Sequence, residues 1–329
     1  MSRENIKGLK DVLLIVVEWS AIIPAMLVIP FLSRRLLYVL ADVISRVFYR
    51  FDRRGKRRAL ENLRILAGKR KGQKQPWLFD PDAAAFDPSS AEDIILRRSY
   101  RNMVRTVLYA FWTCRKAEER ARGTGVMSEA CRRFLAEHKT AITVSGHIGC
   151  WEILSQLALL EGHRMMSVAK NIGTRGMTAL LMKARKSIGQ EIVPAEGAFK
   201  VLMNGLKEGR SLGLLVDQTV SPKRGGVWVR FLDRAMSVSA APAFFAAKGK
   251  VPIVIAWSRP MKDGRYRCEM IESIRADEAR DIRATTQRCT KALERIVRRH
   301  PSCWVLNYNF FSCRPKEADV KHLPPAEGR

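Results

Sequence analysis

From Gly123 onward the chain alternates short apolar segments with amphipathic ones, and this alternation constrains the fold more than any other feature. We predict strands at 141–144, 164–168, 191–193, 212–216, 227–231, 251–257 and 267–271. We predict helices between them at 128–137, 151–160, 174–188, 197–207, 238–248 and 277–299. Strand–helix alternation with this spacing indicates an α/β fold with a central, mostly parallel sheet flanked by helices.

The N-terminal region predicts a membrane helix. Residues 12–32 form a 21-residue stretch with a single charge, Glu18, which is long enough to cross a bilayer. Three cations precede this stretch, whereas nine lie between residues 33 and 58. The positive-inside rule then keeps the body of the chain in the cytoplasm. A core helix or a helix lying in the interface remains the alternative.

A second, amphipathic helix is expected at 33–51, with arginines beside an apolar face, and such a helix suits an anionic membrane surface. A packing helix with a solvated face is the alternative. We divide the chain into a membrane and interface region (1–51), a helical region with a loop insertion at 68–90 (52–122), an α/β catalytic domain (123–315) and a flexible tail (316–329).

The net charge of +27 calls for an anionic partner, because 59 Lys and Arg face only 32 Asp and Glu. Nucleic acid, an anionic membrane and an acidic protein are the candidates, and the amphipathic helix favours the membrane. The seven cysteines form no CxxC pair, which is typical of reduced thiols in the cytoplasm. We find no metal-ligand spacing.

The candidate chemistry lies in the segment SGHIGCWEI, where His147 follows an apolar strand and Glu152 begins a helix. A histidine at the carboxyl end of a sheet strand can act as base or acid, and a carboxylate on its other ring nitrogen would fix its tautomer. We therefore expect Glu152 to fold back onto His147 through the glycine-containing turn. A buried core histidine is the alternative, and Cys150 is a candidate thiol nucleophile.

Four ordered motifs carry a family resemblance. They are SGHIGCWEI, SVAKN (167–171), LLVDQTVSPKRGGVWVRFL (214–232) and HPSCWVLNYNFFSCRP (300–315). These motifs resemble those of the lipid A late acyltransferases, which are the lauroyl and myristoyl acyltransferases within the lysophospholipid acyltransferase superfamily. The resemblance implies a glycerol-phosphate acyltransferase-like fold. It also implies that His147 deprotonates an acceptor hydroxyl, which attacks an acyl thioester while Glu152 orients the histidine.

Further site residues follow from the same resemblance. Lys170 and Asn171 match a position thought to bind phosphate or the developing oxyanion, and Arg185 would serve likewise. Asp217 and Gln218 match a position that shapes the acceptor site. The sequence departs from the family at Cys150, where asparagine is usual, and at Lys170, where arginine is commoner.

The implied activity is acyl transfer from an acyl carrier protein, or from CoA, to a hydroxyl of a membrane glycolipid, with a lipid A precursor as the expected acceptor. The implied partners are anionic lipid, the glycolipid acceptor and an acidic carrier protein, with no nucleic acid, metal or cofactor beyond the thioester cosubstrate. The implied location of the catalytic domain is the cytoplasmic face of a bacterial inner membrane. The alternatives are another phosphoglycolipid or aminolipid acceptor, a Cys150-dependent thioesterase and an inactive membrane scaffold.

Overall fold

The computed structural model describes residues 20, 23–68, 88–169 and 175–324. Within these ranges, five α-helices precede the sheet: α1 (Ile23–Val28), α2 (Arg34–Phe51), α3 (Arg53–Ala67), α4 (Pro88–Trp112) and α5 (Ala117–Thr124).

A seven-stranded sheet forms the centre of the molecule. Its strands are β1 (Gly125–Met127), β2 (Ile142–Ser145), β3 (Met165–Ala169), β4 (Glu191–Pro194), β5 (Ser211–Leu215), β8 (Ile253–Pro260) and β9 (Tyr266–Ile274), in the order β1-β9-β8-β2-β5-β3-β4. The five strands from β8 to β4 are parallel to one another, and β9 pairs antiparallel with β8. This confirms the predicted α/β fold with a mostly parallel sheet.

Helices cover both faces of the sheet: α6 (Glu129–Glu137), α7 (Trp151–Leu160), α8 (Arg175–Ser187), α9 (Ala198–Lys207), α10 (Ala241–Gly249) and α11 (Ile282–Arg299). Apolar residues at the middle of the sheet, such as Ile142, Val144 and Leu212, are inaccessible to solvent. Near-continuous apolar strands of this kind are expected where helices bury both faces of a parallel sheet. Each of these helices begins or ends within a few residues of its predicted bounds.

Two strands were not predicted. β1 has only three residues. The other, β7 (Arg234–Ser239), forms an antiparallel hairpin with β6 (Gly226–Phe231). The two residues of the turn, Leu232 and Asp233, have positive φ values of 51° and 62°. In two-residue hairpin turns these values are usually adopted by an Asn-Gly pair. Leu232 is held there because it is buried and its amide donates to Glu294 Oε2 at 3.1 Å, so a tertiary contact replaces the usual turn residues.

Apolar residues that recur every three or four positions between residues 92 and 120 predict one long helix there, but the structure breaks it. α4 ends at Trp112, Lys116 adopts a left-handed φ of 55°, and α5 begins at the next residue. The Thr113 hydroxyl donates to the Tyr109 and Ala110 carbonyls, and such side-chain bonds compete with helix continuation.

Several N- and C-terminal predictions fall partly outside the described residues. Residues 12–19, 21 and 22 of the apolar stretch and most of the loop 68–90 lie outside them, as do residues 325–329 of the tail. Glu317–Val320 of the predicted tail form a short helix, α12. Among the helices that the structure describes, none combines the length and apolar character needed to cross a bilayer. The predicted N-terminal membrane helix is therefore without support.

The amphipathic helix predicted at 33–51 is present as α2. One side of it is buried by packing against α4, through Leu37 and Ala41. A second apolar stripe on the same helix is exposed and comprises Leu36, Val39, Val43, Val47 and Phe51, with exposed fractions between 49% and 75%. The helix thus has more apolar surface than its contacts with the rest of the protein cover.

Candidate active site

His147 lies in the loop that follows β2, at the carboxyl edge of the sheet. Its backbone amide donates to Asp217 Oδ2 at 2.9 Å, and its carbonyl accepts from the Val305 amide at 3.1 Å. Its ring atom Nδ1 lies 2.7 Å from Asp217 Oδ1. The side chain is 22% exposed, so the ring is held on one side and remains accessible.

Two glycines shape this loop because side chains there would collide with its supports. A Cβ at Gly146 would lie 3.0 Å from the Asp217 carboxyl carbon. Gly149 has a φ of 63°, and a Cβ there would lie 1.8 Å from the Ser258 carbonyl oxygen on β8. The close approach of loop and strand requires glycine at position 149.

Asp217 follows β5, the neighbour of β2 in the sheet, and its side chain is buried. Besides His147 it binds Trp304, whose indole Nε1–H donates to Oδ2 at 3.0 Å. Burial raises the pKa of this carboxyl, but the His147 ring, the Trp304 N–H and the His147 amide outweigh it, so the pKa lies below its ordinary value. An ionised Asp217 assigns the proton of the neutral imidazole to Nδ1 and leaves a lone pair on Nε2.

The predicted contact between Glu152 and His147 is wrong. Glu152 lies in the first turn of α7 and is buried, but its carboxylate binds Arg185 on α8. Arg185 Nε lies 3.0 Å from Oε2 and Nη2 lies 2.5 Å from Oε1. The physical reason is twofold: the helix carries Glu152 away from the loop toward α8, and Asp217 already occupies His147 Nδ1.

Trp151 connects this ion pair to the histidine. Its indole Nε1–H donates to Glu152 Oε1 at 3.0 Å. Its ring also meets the His147 ring edge to face, with centroids 5.0 Å apart and planes at 63°. The Trp151 indole therefore contacts both Glu152 and His147, which do not contact each other directly.

The other predicted site residues have different outcomes. The side chain of Arg185, predicted to bind phosphate or the oxyanion, is 15% exposed and is engaged by Glu152. Gln218 follows Asp217 and is partly exposed at the same edge of the sheet. Lys170 and Asn171 lie outside the described residues.

Sequence reasoning missed Trp304 as a partner of Asp217, although Trp304 lies in the HPSCWVLN part of the fourth motif.

Cys150 does not have the environment of a nucleophile. It is inaccessible to solvent, and burial raises the pKa of its thiol far above the ordinary value. The thiolate is the nucleophilic form, so the burial of Cys150 disfavours the thioesterase alternative.

Nowhere in the described ranges do three or more His, Cys, Asp or Glu side chains come together in an arrangement that could hold a metal ion.

The site therefore contains a partly accessible histidine whose ring is oriented by a buried, ionised carboxylate at the end of a parallel sheet. A family model described as bacterial lipid A biosynthesis acyltransferase matches residues 6–311, which is most of the chain. The chain belongs to the bacterial lipid A biosynthesis acyltransferase family. A comparison with curated proteins found no match.

This family membership confirms the resemblance inferred from the four motifs. The protein is an acyltransferase of lipid A biosynthesis, and therefore of lipopolysaccharide synthesis. The matched residues include the His147 loop, both strands that support it and the segment that contributes Trp304. The lipid A acyltransferase family thus accounts for the whole region in which the site is assembled.

Proposed function

We propose that this lipid A acyltransferase uses His147 as a general base to transfer a fatty acyl chain from a thioester to a hydroxyl of a lipid A precursor. The observation that supports the proposal most strongly is the 2.7 Å contact between His147 Nδ1 and the buried carboxylate of Asp217. This contact leaves Nε2 as the ring nitrogen that exchanges a proton with substrate. Asp217 takes the orienting role for which Glu152 was predicted.

The reaction follows from this arrangement. Nε2 accepts the proton of the acceptor hydroxyl as its oxygen attacks the thioester carbonyl carbon. The tetrahedral intermediate collapses, the carbon–sulfur bond breaks, and the imidazolium returns the proton from Nε2 to the departing sulfur. An ester and a free thiol result. Asp217 stabilises the imidazolium throughout, and proton transfer by a positioned side chain contributes roughly 10²- to 10⁴-fold in rate.

The oxyanion of the intermediate also needs a donor. Arg185 is held by Glu152, so its guanidinium is not free for this task in the structure described. Lys170 and Asn171 are our proposed donors, because they match a position of the resembled family that commonly carries a cation and an amide. A single preorganised donor of this kind is worth roughly 3 to 4 kcal/mol in known enzymes.

We further propose that the exposed apolar stripe of α2 lies in the membrane interface. On a helical projection, Arg35, Arg46 and Arg50 border the stripe on one side, and long basic side chains at that position suit anionic lipid headgroups. The acceptor is a lipid, so the enzyme must meet it at a bilayer surface. We place that surface on the cytoplasmic side of the inner membrane, where the acyl thioester is found.

The donor and the exact acceptor form part of the same proposal: an acidic acyl carrier protein delivers the thioester, and no resident cofactor is required. Lipid mass spectrometry of a strain that lacks this gene, compared with the same strain complemented, tests the assignment. The proposal expects lipid A that lacks one acyl chain, restored on complementation. Unchanged lipid A with one altered phosphoglycolipid or aminolipid would instead support the alternative acceptor.

A further inference from the structure

A basic cleft lies along α11. Its volume is about 660 Å³, and its walls are α11, strands β6 and β9, and residues 322–324. Five cations and two carboxylates line it: Arg230, Arg283, Arg288, Lys291 and Arg295 against Glu272 and Asp281. None of the residues placed at the active site lines this cleft.

The cleft is held in shape by polar contacts. Gln287 of α11 accepts from the Arg230 amide at 2.7 Å and donates to the Arg230 carbonyl at 2.9 Å, which ties the helix to β6. Glu272 on β9 binds both Arg288 and Arg295 and so fixes two guanidinium groups along one side. These contacts tie two of the basic side chains, Arg288 and Arg295, to β9.

Part of the positive charge in the cleft is not neutralised. Among the described residues, neither Arg230 nor Arg283 forms an ion pair with a carboxylate; Arg230 donates to the carbonyls of Asp233 and Pro324. Arg283 is exposed at the start of α11. Two unneutralised guanidinium groups in a recessed, helix-lined cleft suit an acidic partner that presents several carboxylates or phosphates.

The cleft is connected to the catalytic pair through one wall. Arg230 precedes Phe231 on β6, and the Phe231 ring meets the Trp304 ring with centroids 5.7 Å apart. Trp304 in turn donates to Asp217. Strand β6 therefore contributes one residue, Arg230, to the cleft and the next, Phe231, to the packing around the partner of Asp217.

We infer that the cleft is the docking site for the acidic carrier protein, an inference that rests on the proposed function. A protein fits better than a membrane surface. The large apolar side chains that the structure exposes lie elsewhere, chiefly on α1 and α2, and none lines the cleft. The concave shape also suits an inserted acidic helix better than a planar bilayer.

The test compares two donors on the full-length enzyme in detergent: an acyl carrier protein thioester and the same acyl chain on pantetheine, which lacks the protein. Arg283→Glu is expected to raise KM for the carrier thioester about 5-fold at low salt, by loss of steering and complementarity, and to leave KM for acyl-pantetheine unchanged. Arg283→Lys, which keeps the charge, should retain most of the affinity. Lys207→Glu, an exposed charge reversal on α9 that does not line the cleft, is the matched control.

Each outcome bears on the inference. An unchanged KM for the carrier thioester, or an equal rise for both donors, overturns it. A loss of binding to anionic vesicles with an unchanged carrier KM assigns the cleft to the membrane and also overturns it. Absence of transfer from either donor in the unmodified enzyme contradicts the proposed function instead, so the two failures are distinguishable.

Discussion

Asp217 Oδ1 lies 2.7 Å from His147 Nδ1, although the two residues are 70 positions apart in the chain. They meet because β2 and β5 are neighbours in the sheet and both run parallel, so the loops after them leave from the same edge. The same carboxylate accepts the His147 backbone amide, so Asp217 holds both the loop and the ring. The orientation of the His147 ring thus depends on the pairing of β2 with β5 and not on α7, the helix that follows His147 in the chain.

Replacing Asp217 with asparagine should lower kcat for acyl transfer by about 10²- to 10³-fold, because the amide no longer fixes the tautomer or stabilises the imidazolium. Steady-state kinetics on purified protein measures this. Because the side chains are nearly isosteric, circular dichroism should show a folded variant.

Glu152→Gln is the matched comparison. It leaves Arg185 buried without its carboxylate, so it should lower the free energy of unfolding by about 3 to 5 kcal/mol, while kcat of the protein that remains folded falls less than in Asp217→Asn. If kcat falls further in Glu152→Gln than in Asp217→Asn, with both variants folded, Glu152 and not Asp217 is the partner of the base.

Trp151→Phe tests the link between the ion pair and the histidine. The variant keeps a ring against His147 but removes the N–H that binds Glu152, so we expect a loss of about 1 to 2 kcal/mol in stability. We also expect a fall in kcat with an unchanged KM, because the ring that packs on the base is less well fixed. Equal kcat and pH–rate profiles in Trp151→Phe and the unmodified enzyme would contradict a positioning role.

The pKa of Asp217 predicts how its contribution to stability depends on pH. Its pKa in the folded protein lies below the ordinary value of 3.8, so the stabilising contribution is present above that value and is lost as pH falls through the folded pKa. The difference in Tm between the unmodified enzyme and Asp217→Asn should therefore be largest near neutral pH and shrink below about pH 4. A difference that grows on acidification would contradict an ionised Asp217.

The exposed stripe of α2 predicts a lipid contact. A photoreactive amino acid at position 43, where the native Val43 is 49% exposed, should cross-link to phospholipid in anionic vesicles. The matched control is position 201 on α9, where Val201 is 44% exposed but lies away from the stripe. Equal lipid adducts at both positions would show that α2 has no preferred contact with the bilayer.

Much of the fold was predictable because the relevant signals are local. The buried strands β2 and β5 and the helices between them follow from runs of apolar residues in the chain. The β6–β7 turn was not predictable, because Leu232 and Asp233 adopt positive φ only through burial and the Glu294 contact. At these two positions, tertiary contacts outweigh the intrinsic preference of the residues for negative φ.

The site was predicted in part for the same reason. His147 was identifiable from its place after a strand, but its partner was sought five residues away. Glu152 was the nearest acid in sequence, whereas the choice between Glu152 and Asp217 depends on strand order. The pairing of Arg185 with Glu152 likewise depends on how α8 packs beside α7. The spacing of residues along the chain does not predict that packing.

Acyl transfer by purified His147→Ala protein is the most direct test of the central claim, with product detected as an acceptor lipid heavier by one acyl chain. Cys150→Ala is the matched control, since its thiol is buried and has no role in the proposed step. We predict that His147→Ala loses at least about 10²-fold in rate while Cys150→Ala stays active. Full activity in folded His147→Ala, or a covalent acyl adduct on Cys150, would contradict the claim.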